Sequence, residues 1–156
     1  MKNANVIIKS IMPKNNFFLD SSALIADAIS PSGAARILLL LAEAEKLNII
    51  ISEQVIEETE RSLAKKSPQN LPDFRRFIKV INPIIVQISS EEITNCLYMI
   101  SDPTDAPILA AAIKAKADFL VTHNRRHFLD DPKVAKKSGL KIGTPGDALS
   151  WIRETL

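Results

Sequence analysis

Five short, unbroken apolar runs set the tightest limit on this chain: Asn16 to Asp20, Leu47 to Ile51, Ile84 to Ile88, Asp118 to Thr122 and Leu140 to Ile142. None of them alternates apolar with polar residues. A strand that is apolar along its length must be covered on both faces, and sheets built that way are parallel. Helical patterns fall between the runs, at Ala34 to Lys46, Glu53 to Lys65, Asp73 to Val80, Glu91 to Ile100, Asp105 to Lys116 and Asp147 to Thr155. Strand and helix thus alternate throughout, which predicts an α/β fold: a three-layer α/β/α sandwich with a central parallel sheet of about five strands. Ser67 to Pro72 reads as a loop between helices. A length of 156 residues suits one domain, on a prior of ~100–200 residues each. That domain is expected over residues 16–156, after an N-terminal extension over 1–15 that either pairs as an edge or frays.

Composition excludes several classes. Lys and Arg number 20 against 18 Asp and Glu, a net charge of +2, so the surface is mixed and nucleic acid would be held by a local patch. The lone Cys96 cannot form an internal disulfide or a cysteine metal cluster, which fits a reducing compartment. No apolar run approaches the ~18 residues of a membrane span. Val6-Ile7-Ile8 is broken at Lys9, too short for a signal-peptide core. A soluble, cytoplasmic protein with no membrane partner is expected. Four glycines offer no phosphate-cradling loop, which argues against a nucleotide-dependent enzyme.

The acidic residues carry the chemistry. Asp20 closes Phe17-Phe18-Leu19, and because carboxylates are depleted inside strands it belongs at the strand's end. Spacing leaves two roles equally open: N-cap of a helix beginning near Ser22, or metal ligand. On the helix after Ser52, Val55, Ile56, Thr59 and Leu63 form the apolar stripe. Glu57 lies opposite it and can only face water, while Glu58 and Glu60 flank it and geometry does not separate them. In Asp102-Pro-Thr-Asp105-Ala-Pro107, Pro107 is comfortable only in a first helical turn. Thr104 is therefore the expected N-cap and Asp105 the first helical residue, with Asp102 in the incoming loop. A carboxylate beside a helix N-terminus gains ~0.3–1 kcal/mol from the dipole, a structural reason for Asp105. Yet two carboxylates at ~4 Å repel by about 4 kcal/mol at an effective dielectric of 20, and a cation between them relieves that.

Asn124 follows the fourth run; at a strand end this residue is usually a turn former. Asp118, at the start of the same run, reads as structural. His123 and His127 invite a zinc reading, but two histidines without a third ligand support it weakly.

Together these residues resemble the PIN-domain family of metal-dependent nucleases, many of them toxins of toxin–antitoxin pairs. Phe18-Leu-Asp-Ser-Ser-Ala-Leu24 resembles the family's first strand with its leading aspartate, Asp20. Ser52-Glu-Gln-Val-Ile-Glu-Glu58 is similar to the second element and selects Glu58. Asp102-x-x-Asp105-Ala-Pro-Ile-Leu-Ala-Ala-Ala resembles the third, and Asp118-Phe-Leu-Val-Thr-His-Asn124 the fourth. The likeness spans Phe17 to Ile152. Two features depart from the pattern. Asn124 stands where the family often has an aspartate, which removes a charge and is expected to weaken a second metal. Asp20 also lies further from the N-terminus than the family's leading aspartate.

The resemblance implies a PIN-like fold and a Mg²⁺- or Mn²⁺-dependent endoribonuclease. Asp20, Glu58 and Asp105 would hold the principal ion, and Asp102 would add a ligand or order its waters. Asn124 would ligate through its carbonyl or position the scissile phosphate, and Arg125 and Arg126 would grip substrate phosphates. RNA is the implied substrate, an antitoxin a possible partner, and a homodimer the implied assembly. One alternative is a non-catalytic PIN-fold module that binds RNA or a partner with a weakened metal site. Another is an aspartyl-phosphate phosphatase, which wants a second Asp two residues after the first, where this chain has Ser22.

Overall fold

A computed structural model describes residues 14–155, so all of the expected extension except Lys14 and Asn15 lies outside the described residues. The five expected strands are present, each shorter than its run or shifted by a residue: β1 (Asn16–Leu19), β2 (Asn48–Ser52), β3 (Ile84–Val86), β4 (Phe119–Val121) and β5 (Lys141–Gly143). They form one sheet in the order β3-β2-β1-β4-β5, with every pairing parallel. Phe17, Phe18, Leu19, Ile51, Leu120 and Val121 are all fully buried. Since neighbouring strand residues point to opposite faces, both faces must be covered.

Eight helices surround the sheet among the described residues: α1 (Ser21–Ile29), α2 (Ala34–Glu43), α3 (Glu53–Lys66), α4 (Leu71–Ile81), α5 (Ser90–Thr94), α6 (Ala106–Lys114), α7 (Pro132–Ser138) and α8 (Pro145–Thr155). Right-handed crossovers put the helices that follow β1 and β2 on one face and α6 on the other. On the first face α2 packs against α1, α4 and the returning α8; on the second, α5 lies along α6 and α6 reaches β2. Ala106, Leu109, Ala110, Ala111 and Ala112 of α6 are buried. Their small side chains let this helix lie close to the sheet, which accounts for its alanine-rich sequence. The Phe17 ring sits 6.1 Å from Phe119 and 5.8 Å from Trp151, tying α8 to the central strands.

Most helix ends lie within three residues of those expected, and four departures from the sequence reading matter more. α5 ends at Thr94 rather than Ile100, since Thr94 and Asn95 are poor helix formers. Ser67 to Pro72 is no loop: a 3₁₀ turn at Pro68–Asn70 runs straight into α4, which begins at Leu71. The sequence reading did not anticipate α7. It starts at Pro132 after the N-cap Asp131 and stops at Gly139 with φ of 73°, a left-handed cap that glycine adopts without strain. Finally, Asp102 caps a 3₁₀ turn at Pro103–Asp105, accepting from the Thr104 N–H at 2.9 Å, and α6 begins at Ala106. Thr104 is therefore not the cap, and Asp105 precedes α6. Pro103, which has no N–H of its own to satisfy, fits the first position of the extra turn.

The chain leaves β1 towards β2 but leaves β4 towards β5. At this reversal between adjacent strands the helices diverge and open a crevice at the strands' C-terminal ends. Asp20 and Thr122 are the residues that follow the two strands there. No single helix among the described residues is long and apolar enough to cross a membrane.

Candidate metal centre

Asp20 is 6% exposed and its carboxylate is surrounded by donors. Oδ1 accepts from the Ser21 N–H at 2.7 Å, capping α1; Oδ2 accepts from Thr122 Oγ1 at 2.8 Å and Ser22 Oγ at 3.3 Å. Capping is thus real, but it occupies only part of the carboxylate. Burial pushes the Asp20 carboxyl above its ordinary range, opposed by these hydrogen bonds and reinforced by Glu58. The network continues into the fourth strand's exit, where the His123 N–H donates to Ser22 Oγ and the Asn124 N–H to Thr122 Oγ1, each at 3.0 Å.

Glu58 and Glu60, alike in the sequence, are separated by their neighbours. The Glu58 carboxylate faces Asp20: Ser21 Oγ lies 3.1 Å from Glu58 Oε2 and 3.4 Å from Asp20 Oδ1, and Gln54 Nε2 donates to Glu58 Oε1 at 2.9 Å. Glu60 turns to Arg75 of α4 at 3.0 Å. Glu57 is exposed, as its position opposite the stripe requires.

Asp105 makes no capping bond to α6, so its oxygens are not drawn into the helix. Burial raises its carboxyl, His127 opposes the rise, and Asp102 and Asp20 add to it. Asp102 is held low instead, by hydrogen bonds from Thr104 first and then by His127 and Arg126. The sequence raised His127 only for a weakly supported zinc site with His123, and did not join it to these acids. Its Nδ1 meets Asp105 Oδ2, and its Nε2 stands 3.5 Å from Asp102 Oδ2. No heptad or strand period places it there. It arrives on a single π-type turn, Arg125–Leu129, capped by Asn124, whose Oδ1 accepts from the His127 N–H at 3.2 Å. The signal that could have found it is the Asn cap itself, three residues upstream.

The remaining expected residues fall outside this contact group. Asn124 spends its carbonyl on the cap. Arg125 reaches Asp130 at 3.4 Å and is largely exposed; Arg126 is exposed beside Asp102. Asp118 sits at the opposite end of β4 and accepts from the Asn16 N–H at 2.7 Å, a structural role. Among the described residues, no Lys or Arg forms an ion pair with Asp20, Glu58, Asp102 or Asp105. Asp105 Oδ2 and His127 Nδ1 are buried and have only each other as partners among the described residues. Carboxylate oxygens that lack a Lys or Arg partner suit a hard divalent ion.

This fold and this gathering of acids at the switch between β1 and β4 define a class, and sequence comparison agrees: a PIN domain matches residues 16–126. The chain belongs to the PIN-domain family. Among solved structures, a chain of VapBC2 from Rickettsia felis, bound to a DNA fragment from their promoter, is 23% identical. It aligns over 83% of this chain and 98% of its own, with a TM-score of 0.58. VapC20 of Mycobacterium tuberculosis, a Sarcin-Ricin loop cleaving toxin, is 14% identical over 70% of this chain and 91% of its own, with a TM-score of 0.53. At these identities the likeness is one of fold. No curated protein matches the sequence at a significant level.

Proposed function

We propose that this protein is a divalent-metal-dependent endoribonuclease. The observation that carries the reading is that two acidic pairs, Asp20 with Glu58 across Ser21 and Asp102 with Asp105 across His127, lie at the sheet's C-terminal edge without a Lys or Arg to neutralise them, Asp20 near enough to help raise the Asp105 carboxyl. In this reading Asp20, Glu58 and Asp105 hold Mg²⁺ or Mn²⁺ and Asp102 contributes a ligand or orders its waters. When bound, the ion polarises a water for attack and neutralises charge developing on the phosphate.

The chain's own residues do the rest. Ser21, Ser22 and Thr122 hold the Asp20 carboxylate in a fixed orientation, so it need not reorganise on binding. Ser21 and Gln54 do the same for Glu58. A cleft of about 350 Å³ lined by Ser52, Gln54, Gln87 and Pro107 adjoins the acids and offers amide groups to a nucleotide base. Arg125 and Arg126 are available to backbone phosphates at the other side. The Asn124 amide nitrogen, free of the cap, can reach a phosphate oxygen.

The toxin named among the fold's relatives, and the antitoxin complex, support a toxin role with a protein antitoxin as partner. A homodimer and a cytoplasmic location go with that role. Residues 16–156 are proposed to act as a single nuclease domain. One observation favours a second reading, a non-catalytic PIN fold that binds RNA or a partner: Asn124 supplies no charge, and its carbonyl serves as a cap. Incubating the protein with a mixed single-stranded RNA pool and Mn²⁺, with and without EDTA, separates the two. Cleavage that EDTA abolishes supports the nuclease; binding without cleavage supports the second reading.

A further inference from the structure

The imidazole of His127 lies between two carboxylates with one ring nitrogen turned to each. Nδ1 faces Asp105 Oδ2 and Nε2 faces Asp102 Oδ2 at 3.5 Å. One ligand atom from each of these three residues lies within 4.8 Å of the other two. The ring is also held in place. Phe128, next in sequence, is 2% exposed and anchors the turn in the core, while the Asn124 cap fixes the His127 backbone from the other side.

A neutral imidazole has one nitrogen that can only accept, as a carboxylate oxygen does. Whichever carboxylate the ring donates to, its other nitrogen faces the second carboxylate as an acceptor, a pair that a cation would join. Asp105 Oδ2 and His127 Nδ1 are buried and have only each other as partners among the described residues. Two oxygens and one nitrogen at this spacing form a donor set that a divalent ion can satisfy at once.

We infer that His127 is a nitrogen ligand of the metal centre. It completes a site with Asp102 and Asp105 and supplies a donor atom where Asn124 commits its carbonyl to the cap. The inference rests on the proposal that the neighbouring acids hold a divalent ion, and it adds a selectivity. An all-oxygen site suits Mg²⁺, whereas an imidazole among the donors shifts preference towards Zn²⁺ and its transition-metal neighbours. The centre therefore takes a transition metal ahead of Mg²⁺.

Pulsed electron paramagnetic resonance of Mn²⁺ bound to the intact protein tests the ligand directly. The chain has two histidines, so a His123→Gln variant labelled with ¹⁵N-histidine reports on His127 alone. His123 is exposed and its side chain has no part in the proposed site. The expected spectrum shows nitrogen coupling that changes with the label. Calorimetry of His127→Gln is expected to show Zn²⁺ affinity reduced ~10-fold or more, with Mg²⁺ affinity changed by no more than about twofold. Mn²⁺ binding without nitrogen coupling, or equal losses of Zn²⁺ and Mg²⁺ affinity, would overturn the inference and leave the nuclease reading standing. If the wild-type protein binds no divalent ion, both fall together. Should His127→Gln fail to fold, the labelled spectrum decides alone.

Discussion

Helix α1 carries a buried aspartate at each end, and the two have opposite fates. Asp27 is 3% exposed and Asp20 6%, and burial pushes both carboxyls above their ordinary range. Asp27 has its own cation: Arg36 grips it with two hydrogen bonds, at 2.8 and 3.0 Å, and stacks 3.8 Å over the Phe77 ring. Asp20 receives only hydroxyls and one backbone N–H, and its nearest charged neighbours are more acids. A buried charge costs several kcal/mol unless something answers it. At Asp27 the fold supplies the answer, which makes that end a structural joint between α1, α2 and α4. At Asp20 the charge is answered only by hydrogen bonds, which leaves it open to the divalent ion proposed above.

The contrast predicts opposite phenotypes. Asp20→Asn and Asp105→Asn, which keep side-chain size, should slow RNA cleavage ~100-fold or more, roughly 3 kcal/mol of transition-state stabilisation. Glu58→Gln should behave alike. All three should unfold within about 1 kcal/mol of the wild type, since each removes a poorly compensated charge. Arg36→Met should do the reverse. Loss of one partner of a buried pair costs ~3–5 kcal/mol, and the partial exposure of Arg36 brings the expectation to about 2 kcal/mol. Urea denaturation measures this, and metal affinity should be unchanged. If Asp20→Asn unfolds the protein as readily as Arg36→Met, the two ends are not different in kind.

Asn124→Asp restores a charge beside the acids and should tighten Mn²⁺ binding by ~1 kcal/mol, as read by calorimetry on both proteins. Unchanged affinity would leave Asn124 as a cap and nothing more. The smallest effect is expected from Glu57→Gln, within about 0.5 kcal/mol in stability and without change in cleavage. Damage equal to that of Glu58→Gln would mean the helix has been read on the wrong face.

Much of this was legible from residues alone because it depends on local pattern. Unbroken apolar runs such as Phe17-Phe18-Leu19 and Phe119-Leu120-Val121 specify strands buried on both sides, and Asp20 follows from being the first polar residue after one. Glu58 and Glu60 could not be told apart by periodicity. Their difference lies in Ser21 of α1 and Arg75 of α4, 37 and 15 residues away along the chain. His127 was raised for zinc and set aside for want of further ligands for a related reason: the π-type turn that aims it has no sequence period, and its partners Asp102 and Asp105 come from another segment. The cap was misplaced, at Thr104 instead of Asp102, because Pro107 and Pro103 each permit a helix start and the structure uses both.

The central claim is that the edge acids are completed by a divalent ion while Asp27 is completed from within. Titrating Mn²⁺ into the wild type, Asp20→Asn and Arg36→Met, with melting temperature followed alongside heat, tests it most directly. A ligand that binds only the folded state stabilises it by about 2.7 kcal/mol at 100 times its Kd. Saturable binding and a raised melting temperature are expected in the wild type and in Arg36→Met, and both should be lost in Asp20→Asn. A folded wild type that takes up no heat and gains no stability at millimolar Mn²⁺ or Mg²⁺ would contradict the account.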